Sequence, residues 1–223
     1  MIVSIENILA PEELKTLLDR LDPADFIDGK TTAGWHAKTV KNNAQLTAKA
    51  DYANELRELV KVALWRHPLF QMVARPKQIH SILFSCYEVG MSYGSHVDNA
   101  LMGDRAFLRS DLSFTLFLNN PADYEGGELV IEDFGGEKSY KLPAGGAIVY
   151  PSTTLHRVEP VTQGTRQVVV GWVQSLIRDP AKREILFDLD TARRSIFQKS
   201  GKTIEFDLIS KSHANLLRRW AES

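Results

Sequence analysis

Tyr87-Glu88-Val89-Gly90-Met91-Ser92-Tyr93-Gly94-Ser95-His96-Val97-Asp98-Asn99 follows a strand-like run at 79–87, turns at Gly90 and continues in short extended texture. Downstream, β-rich runs at 112–118, 128–132, 138–142, 147–150, 156–158 and 167–173 are separated by Asn119-Asn120-Pro121, Gly126-Gly127, Gly135-Gly136, Gly145-Gly146 and Gln163-Gly164. Many short strands at this spacing predict a jelly roll or similar double-sheet barrel. Outside it the period becomes helical. Residues 2–9 read as a short strand, and Pro11 opens a helix with Leu14, Leu17, Leu18 and Leu21 in one stripe. Residues 31–40 read as strand. Residues 48–66 read as a helix with Leu56, Leu59, Val60, Ala63 and Leu64 inside and Pro68 past its end. After Arg178-Asp179-Pro180, one helix carries Ile185, Leu189, Ala192 and Ile196 on a face, and a second carries Phe206, Ile209, Leu216, Leu217 and Trp220. The expected fold is α+β: a jelly-roll core with N-terminal helices over 1–178 and a helical extension over 179–223. The extension is too small to fold alone. It is expected to pack on the barrel or on a second subunit, and its two apolar stripes suit a homodimer.

Composition narrows the class. The 223 residues are 43% hydrophobic and 25% charged, as expected of a globular protein with an ample core. A net charge of -1 supplies no footprint for nucleic acid or an anionic membrane, so neither is expected as a partner. Cys86 is the sole cysteine, which excludes an intrachain disulfide and reads as a buried strand thiol. Met1 to Lys15 lacks a basic n-region and a continuous apolar h-region, and no apolar run approaches the roughly 20 residues of a membrane span. The expected location is the cytoplasm.

The chemistry concentrates on four residues. In an extended segment successive side chains alternate, so His96 and Asp98 share a face that Val97 does not. His156 starts a strand after Gly145-Gly146-Ala147-Ile148-Val149-Tyr150-Pro151, a hairpin-like approach that can return the chain to His96. Two imidazoles and one carboxylate form the facial set of non-haem Fe(II) oxygenases; zinc can use the same donors. Among the six histidines, His36, His67, His80 and His213 have no partner at ligand spacing. Arg166 separates the two metals. The segment from Glu159 to Thr165 reads as a hairpin loop, which would place His156 and Arg166 on neighbouring antiparallel strands. An arginine inside a barrel must be paired, and its planar fork suits a carboxylate. The bland alternative is a solvated edge arginine. A diacid such as 2-oxoglutarate, chelating iron at one end and meeting Arg166 at the other, accounts for both features.

The 87–99 stretch resembles the ligand strand of prolyl-4-hydroxylase-type 2-oxoglutarate/Fe(II) dioxygenases. Gly126-Gly127-Glu128-Leu129, the Gly145-Gly146 turn and the His156/Arg166 pair follow in that family's order. The likeness runs from about Ile79 to Val173. The tail, with Val173-Gln174-Ser175-Leu176-Ile177-Arg178-Asp179, resembles the bacterial PKHD-type hydroxylase subgroup, often associated with iron uptake. The resemblance implies a double-stranded β-helix, Fe(II) at His96, Asp98 and His156, 2-oxoglutarate at Arg166, and L-ascorbate as an accessory. It also implies that Tyr87 donates a hydroxyl to 2-oxoglutarate and that Tyr93 borders the substrate; as strand aromatics, either could instead fill core. Asp98 is not the small residue that would open a halide position, which disfavours halogenation. Nucleobase repair fits poorly with the His156-to-Arg166 spacing and the absence of basic excess.

The expected activity is hydroxylation of a small molecule or a protein side chain, with 2-oxoglutarate decarboxylated to succinate and carbon dioxide. A non-catalytic iron or 2-oxo-acid sensor and a structural module binding through its tail are the alternatives. Tyr93, Asn99 and the loop Ala100-Leu101-Met102-Gly103-Asp104-Arg105 are expected at the substrate mouth; the loop also reads as an ordinary surface connection.

Overall fold

The structure is a computed structural model that describes residues 1–103 and 107–222. In chain order the strands are β1 (Val3–Ile5), β2 (Phe26–Asp28), β3 (Lys41–Asn42), β4 (Ala44–Leu46), β5 (Pro76–Tyr87), β6 (Ser92–His96), β7 (Leu101–Met102) and β8 (Leu108–Arg109). They continue with β9 (Leu112–Phe117), β10 (Tyr124–Gly126), β11 (Leu129–Asp133), β12 (Gly136–Tyr140), β13 (Ala147–Pro151), β14 (His156–Val158), β15 (Val161–Gly164) and β16 (Arg166–Ser175). The α-helices are α1 (Pro11–Arg20), α2 (Ala53–Arg66), α3 (Pro68–Ala74), α4 (Pro180–Ser200) and α5 (Ile204–Trp220).

Two antiparallel sheets make the barrel. One has the order β1-β13-β9-β16-β5-β4-β2 and the other β12-β11-β14-β6-β3. Strand alternation gives the larger sheet two buried faces with different tasks. In β9, Phe114 and Leu116 point to a core shared with Leu17, Leu56, Val60, Leu64 and Phe70 of α1–α3. Phe117 points the other way, into a second core between the sheets with Tyr87, Ile131, Ile148, Tyr150 and Val168. Ser113 and Thr115 share that inward parity and line a cavity instead of filling it.

The helices end where local chemistry allows. Pro11 starts α1, and the Glu13 carboxylate accepts the Ala10 N–H at 2.9 Å. The Asp179 side chain accepts from the N–H groups of Ala181 and Lys182 at the start of α4, and Thr203 caps α5 by accepting from Phe206.

Several expectations need correction. Residues 31–40 are not a strand. Two 3-10 turns, Gly29–Thr32 and Ala37–Thr39, occupy the segment, because Thr31, Thr32 and Thr39 bond their hydroxyls to carbonyls three residues back. α2 starts at Ala53 rather than 48, and Pro68 opens α3 rather than following the last turn. The Glu159-to-Thr165 segment is not a hairpin. β15 within it pairs with β10, so β14 lies in one sheet and β16 in the other. His156 and Arg166 therefore belong to different sheets, not to neighbouring strands.

The stripe on α4 is also displaced. Its buried side chains are Arg183, Leu186 and Asp190, whereas Ile185 is 46% exposed. Polar bonding decides this orientation. Asp190 meets Arg75 at 3.2 Å and Arg193 at 2.6 Å, and Arg75 donates to His213 Nε2 of α5 at 3.0 Å. Burial alone would raise the Asp190 carboxyl, but Arg193, Arg194 and Arg75 outweigh it and hold the group below its ordinary value. Arg183 donates to the carbonyls of Ile177 and Arg178. These bonds fasten the tail to the barrel. Replacing Asp190 by Ala should cost about 3 kcal/mol, the cost of leaving a buried cation unpaired. A urea midpoint equal to wild type would show that the network does not hold the tail.

Candidate metal centre

His96 is the last residue of β6 and His156 the first of β14, and the two are direct register partners. Their ring centroids lie 4.3 Å apart. Asp98 lies beyond the end of β6, so the alternation argument applied to a segment that leaves the sheet. Its carboxylate nonetheless turns to the same side, with Oδ2 3.8 Å from His156 Nε2. One donor atom from each of His96, Asp98 and His156 lies within 4.8 Å of the others.

The surroundings orient these donors. Each histidine donates its Nδ1–H to a carbonyl two residues earlier, His96 to Gly94 at 2.8 Å and His156 to Thr154 at 3.1 Å. A carbonyl only accepts, so both Nδ1 atoms carry the proton and both Nε2 lone pairs remain for a metal. Burial, and then His156, pushes the His96 imidazole down to about 4, which keeps it neutral as a ligand requires. Asp98 Oδ2 accepts from Ser113 Oγ at 2.6 Å, and Ser113 Oγ lies 2.8 Å from Ser152 Oγ. Tyr93 stacks on His96 at 3.6 Å, and Tyr150 meets His156 edge-on at 5.1 Å. Ser113→Ala should weaken metal binding about 10-fold to 100-fold, as loss of a ligand's hydrogen-bond partner does. Unchanged Mn(II) affinity by titration would remove Ser113 from the centre.

The same cavity, about 460 Å³, reaches Arg166. Arg166 is 1% exposed, is the cross-strand partner of Tyr87, and places its guanidinium 5.0 Å from that ring and 5.6 Å from Phe117. Its Nε and Nη1 have no hydrogen-bond partner among the described residues. A buried guanidinium with two idle donors implies an anion to fill the fork. Gly127, at φ +65°, makes room for it: a Cβ there would sit 3.0 Å from Arg166 Cδ. Burial raises the Tyr87 phenol, opposed by Arg166, so the hydroxyl keeps its proton for donation.

Asn99 is exposed at the mouth beside Gly34, with Leu101 and Met102 also lining the cavity; Asp104 and Arg105 fall outside the described residues. His36 lines the cavity from the 3-10 segment, while His67 and His80 do not join the ligand group. Cys86 is half-buried, and burial pushes its thiol up to about 11.

Sequence reasoning missed Lys41, Asn43, Ser113, Tyr150 and Ser152. Asn43 is 4% exposed, lines the cavity, and has no partner for Oδ1 or Nδ2 among the described residues. Lys41 is 5% exposed, and burial lowers its amine to about 8 against the opposing fields of Asp98 and Asp28. None carries a local signal: long-range pairing brings Lys41, Asn43, Ser113 and Tyr150 to the cavity and Ser152 to Ser113.

The family model described as the 2OG-Fe(II) oxygenase superfamily matches residues 82–174, and that for the PKHD-type hydroxylase C-terminal domain matches 180–222. A PKHD-type hydroxylase of Acaryochloris marina is 64% identical over 222 residues, and one of Rippkaea orientalis 60%, each match covering 100% of both chains. Among solved structures, a prolyl-4-hydroxylase of Pseudomonas putida covers 78% of this chain and 92% of its own at 19% identity, with a TM-score of 0.53. A prolyl hydroxylase of Trichoplax adhaerens, solved with a hypoxia inducible factor peptide fragment, covers 83% and 86% at 14% identity, with a TM-score of 0.56. Those two likenesses concern the fold. Fold and family match together define a 2-oxoglutarate- and Fe(II)-dependent dioxygenase. Within that class, the chain belongs to the PKHD-type hydroxylase family. Among the described residues, no helix is long and apolar enough to cross a membrane.

Proposed function

We propose that the chain hydroxylates a small molecule or a protein side chain delivered to the Asn99 side of the cavity. His96, Asp98 and His156 hold Fe(II), and Arg166 takes the distal carboxylate of 2-oxoglutarate. Fe(II) held there would let dioxygen act as the oxidant, one oxygen atom entering a substrate C–H bond and the other entering succinate as 2-oxoglutarate loses carbon dioxide. The residues supply placement. Gly94 and Thr154 fix both imidazole tautomers, Ser113 steadies the carboxylate, and Tyr87 donates its hydroxyl beside the guanidinium. Tyr93, stacked on His96, borders the substrate beside the metal.

The observation that carries this reading is the convergence of three donor groups within 4.8 Å in the cavity where Arg166 presents two unpartnered donors. Zinc shares the donor set, but a closed structural zinc site gives no task to Arg166.

The test supplies Fe(II), 2-oxoglutarate and ¹⁸O₂ to the purified protein, together with small-molecule and peptide fractions of cell extract. The expected result is a compound that gains one ¹⁸O atom in step with succinate. Succinate formation that no fraction stimulates, with no labelled product, would contradict a hydroxylase.

A further inference from the structure

Arg166 and Asp98 each have a task in the cavity. Lys41 is the remaining Asp, Glu, Lys or Arg side chain that lines it, among the described residues. It is held in place rather than loose. Lys41 pairs in register with Tyr93, and its Nζ lies 5.3 Å from the Tyr93 ring centroid. Nζ also donates to Thr32 Oγ1 at 3.0 Å. The Thr32 hydroxyl shares its one proton between the Gly29 carbonyl at 3.1 Å and Gln45 Oε1 at 2.5 Å, and Gln45 Nε2 donates to Ser85 Oγ at 3.0 Å. These contacts link β3 through a 3-10 turn and β4 to β5, and Lys41, Thr32, Gln45 and Ser85 all line the cavity. They fix where the ammonium stands.

The ammonium is also underused. It has three N–H donors, and one has a partner. Among the described residues, no carboxylate approaches within the 4.0 Å of an ion pair; Asp98 and Asp28 act on Lys41 only through their fields. Asp98's charge belongs to the metal in the reading above. A cation–π contact and one hydroxyl do not offset the burial of an ammonium. The missing term is an anion.

We propose that Lys41 receives an anionic group, a carboxylate or a phosphate monoester, of the molecule that is oxidised, and so selects acidic substrates. This rests on the dioxygenase reading, with Arg166 occupied by 2-oxoglutarate. The stacked order Lys41, Tyr93, His96 places that anionic group on the Tyr93 side of the metal centre.

The test uses ¹⁵N-lysine protein loaded with diamagnetic Zn(II) and saturating 2-oxoglutarate. The Lys41 ammonium resonance is assigned by its loss in Lys41→Met and, should that variant not fold, in Lys41→Arg. Acetate, methyl phosphate and acetamide are then titrated at constant ionic strength. The expected result is a saturable shift with acetate or with methyl phosphate, and none with neutral acetamide. The anion that acts separates a carboxylate from a phosphate substrate. Three results overturn the proposal: neither anion moves the resonance, acetamide moves it equally, or 2-oxoglutarate alone produces the full shift and leaves nothing for added anion. The underlying dioxygenase reading fails separately, through absence of succinate from the Fe(II)-loaded wild type in air.

Discussion

Arg166→Met is expected to weaken 2-oxoglutarate binding by about 30-fold to several thousand-fold, the range for removing one partner of a buried charge pair. Metal affinity should be nearly unchanged. The asymmetry follows from position. Arg166 starts β16 opposite Tyr87 in the larger sheet, whereas both histidines of the donor group come from the smaller one. The guanidinium makes no contact with the donor group, and its Nε and Nη1 await an external acceptor. Methionine keeps most of the volume between Tyr87 and Phe117, so the cavity wall should survive. Anaerobic titration calorimetry with Mn(II), and then with 2-oxoglutarate, separates the two affinities. Equal loss of both would mean that Arg166 supports the wall and does not bind the diacid.

In halide-free buffer without 2-oxoglutarate, Asp98→Ala should lower metal affinity more than about 100-fold, beyond what loss of a ligand's supporting partner costs. Two histidines would remain, without the anionic donor that completes the facial set. The metal-free protein should behave oppositely. Asp98 is a nearly buried carboxylate whose one hydrogen-bond donor among the described residues is Ser113. Such a group is costly to keep without a cation. The Tm of metal-free Asp98→Ala should therefore equal or exceed that of metal-free wild type, while the rise on adding Mn(II) disappears. A fall in the metal-free Tm would make Asp98 a structural residue first and a ligand second.

The legible parts of the molecule were those with a local signature. The short β-rich runs and the turn signals between them disclosed a double-sheet barrel, in which each face of β9 meets a different core. His96 and Asp98 were legible because they are two residues apart. The proximity of His156 to His96 was read correctly, whereas the hairpin from His156 to Arg166 was not, since β15 crosses to pair with β10 before Arg166 begins. The 31–40 segment misled because threonine favours strands by propensity, yet here its hydroxyls bond back to the chain. On α4 the helical period found an apolar stripe, but the Arg75–Asp190 pair turned another face inward. Lys41, Asn43 and Ser113 were illegible in principle. Lys41 depends on β3 lying beside β6, Asn43 on the link between β3 and β4, and Ser113 on β9 of the other sheet facing Asp98, and no short motif records that.

The central claim is that three donor groups and one guanidinium in a single cavity run Fe(II)- and 2-oxoglutarate-dependent oxidation. The most direct measurement is release of ¹⁴CO₂ from 2-oxoglutarate labelled at C1, in air, by wild type, Asp98→Ala and Arg166→Met. Release that requires Fe(II), is absent in Asp98→Ala, and returns in Arg166→Met only at much higher 2-oxoglutarate is the predicted result. No release from wild type carrying one equivalent of bound Fe(II), across the full range of 2-oxoglutarate, would contradict it.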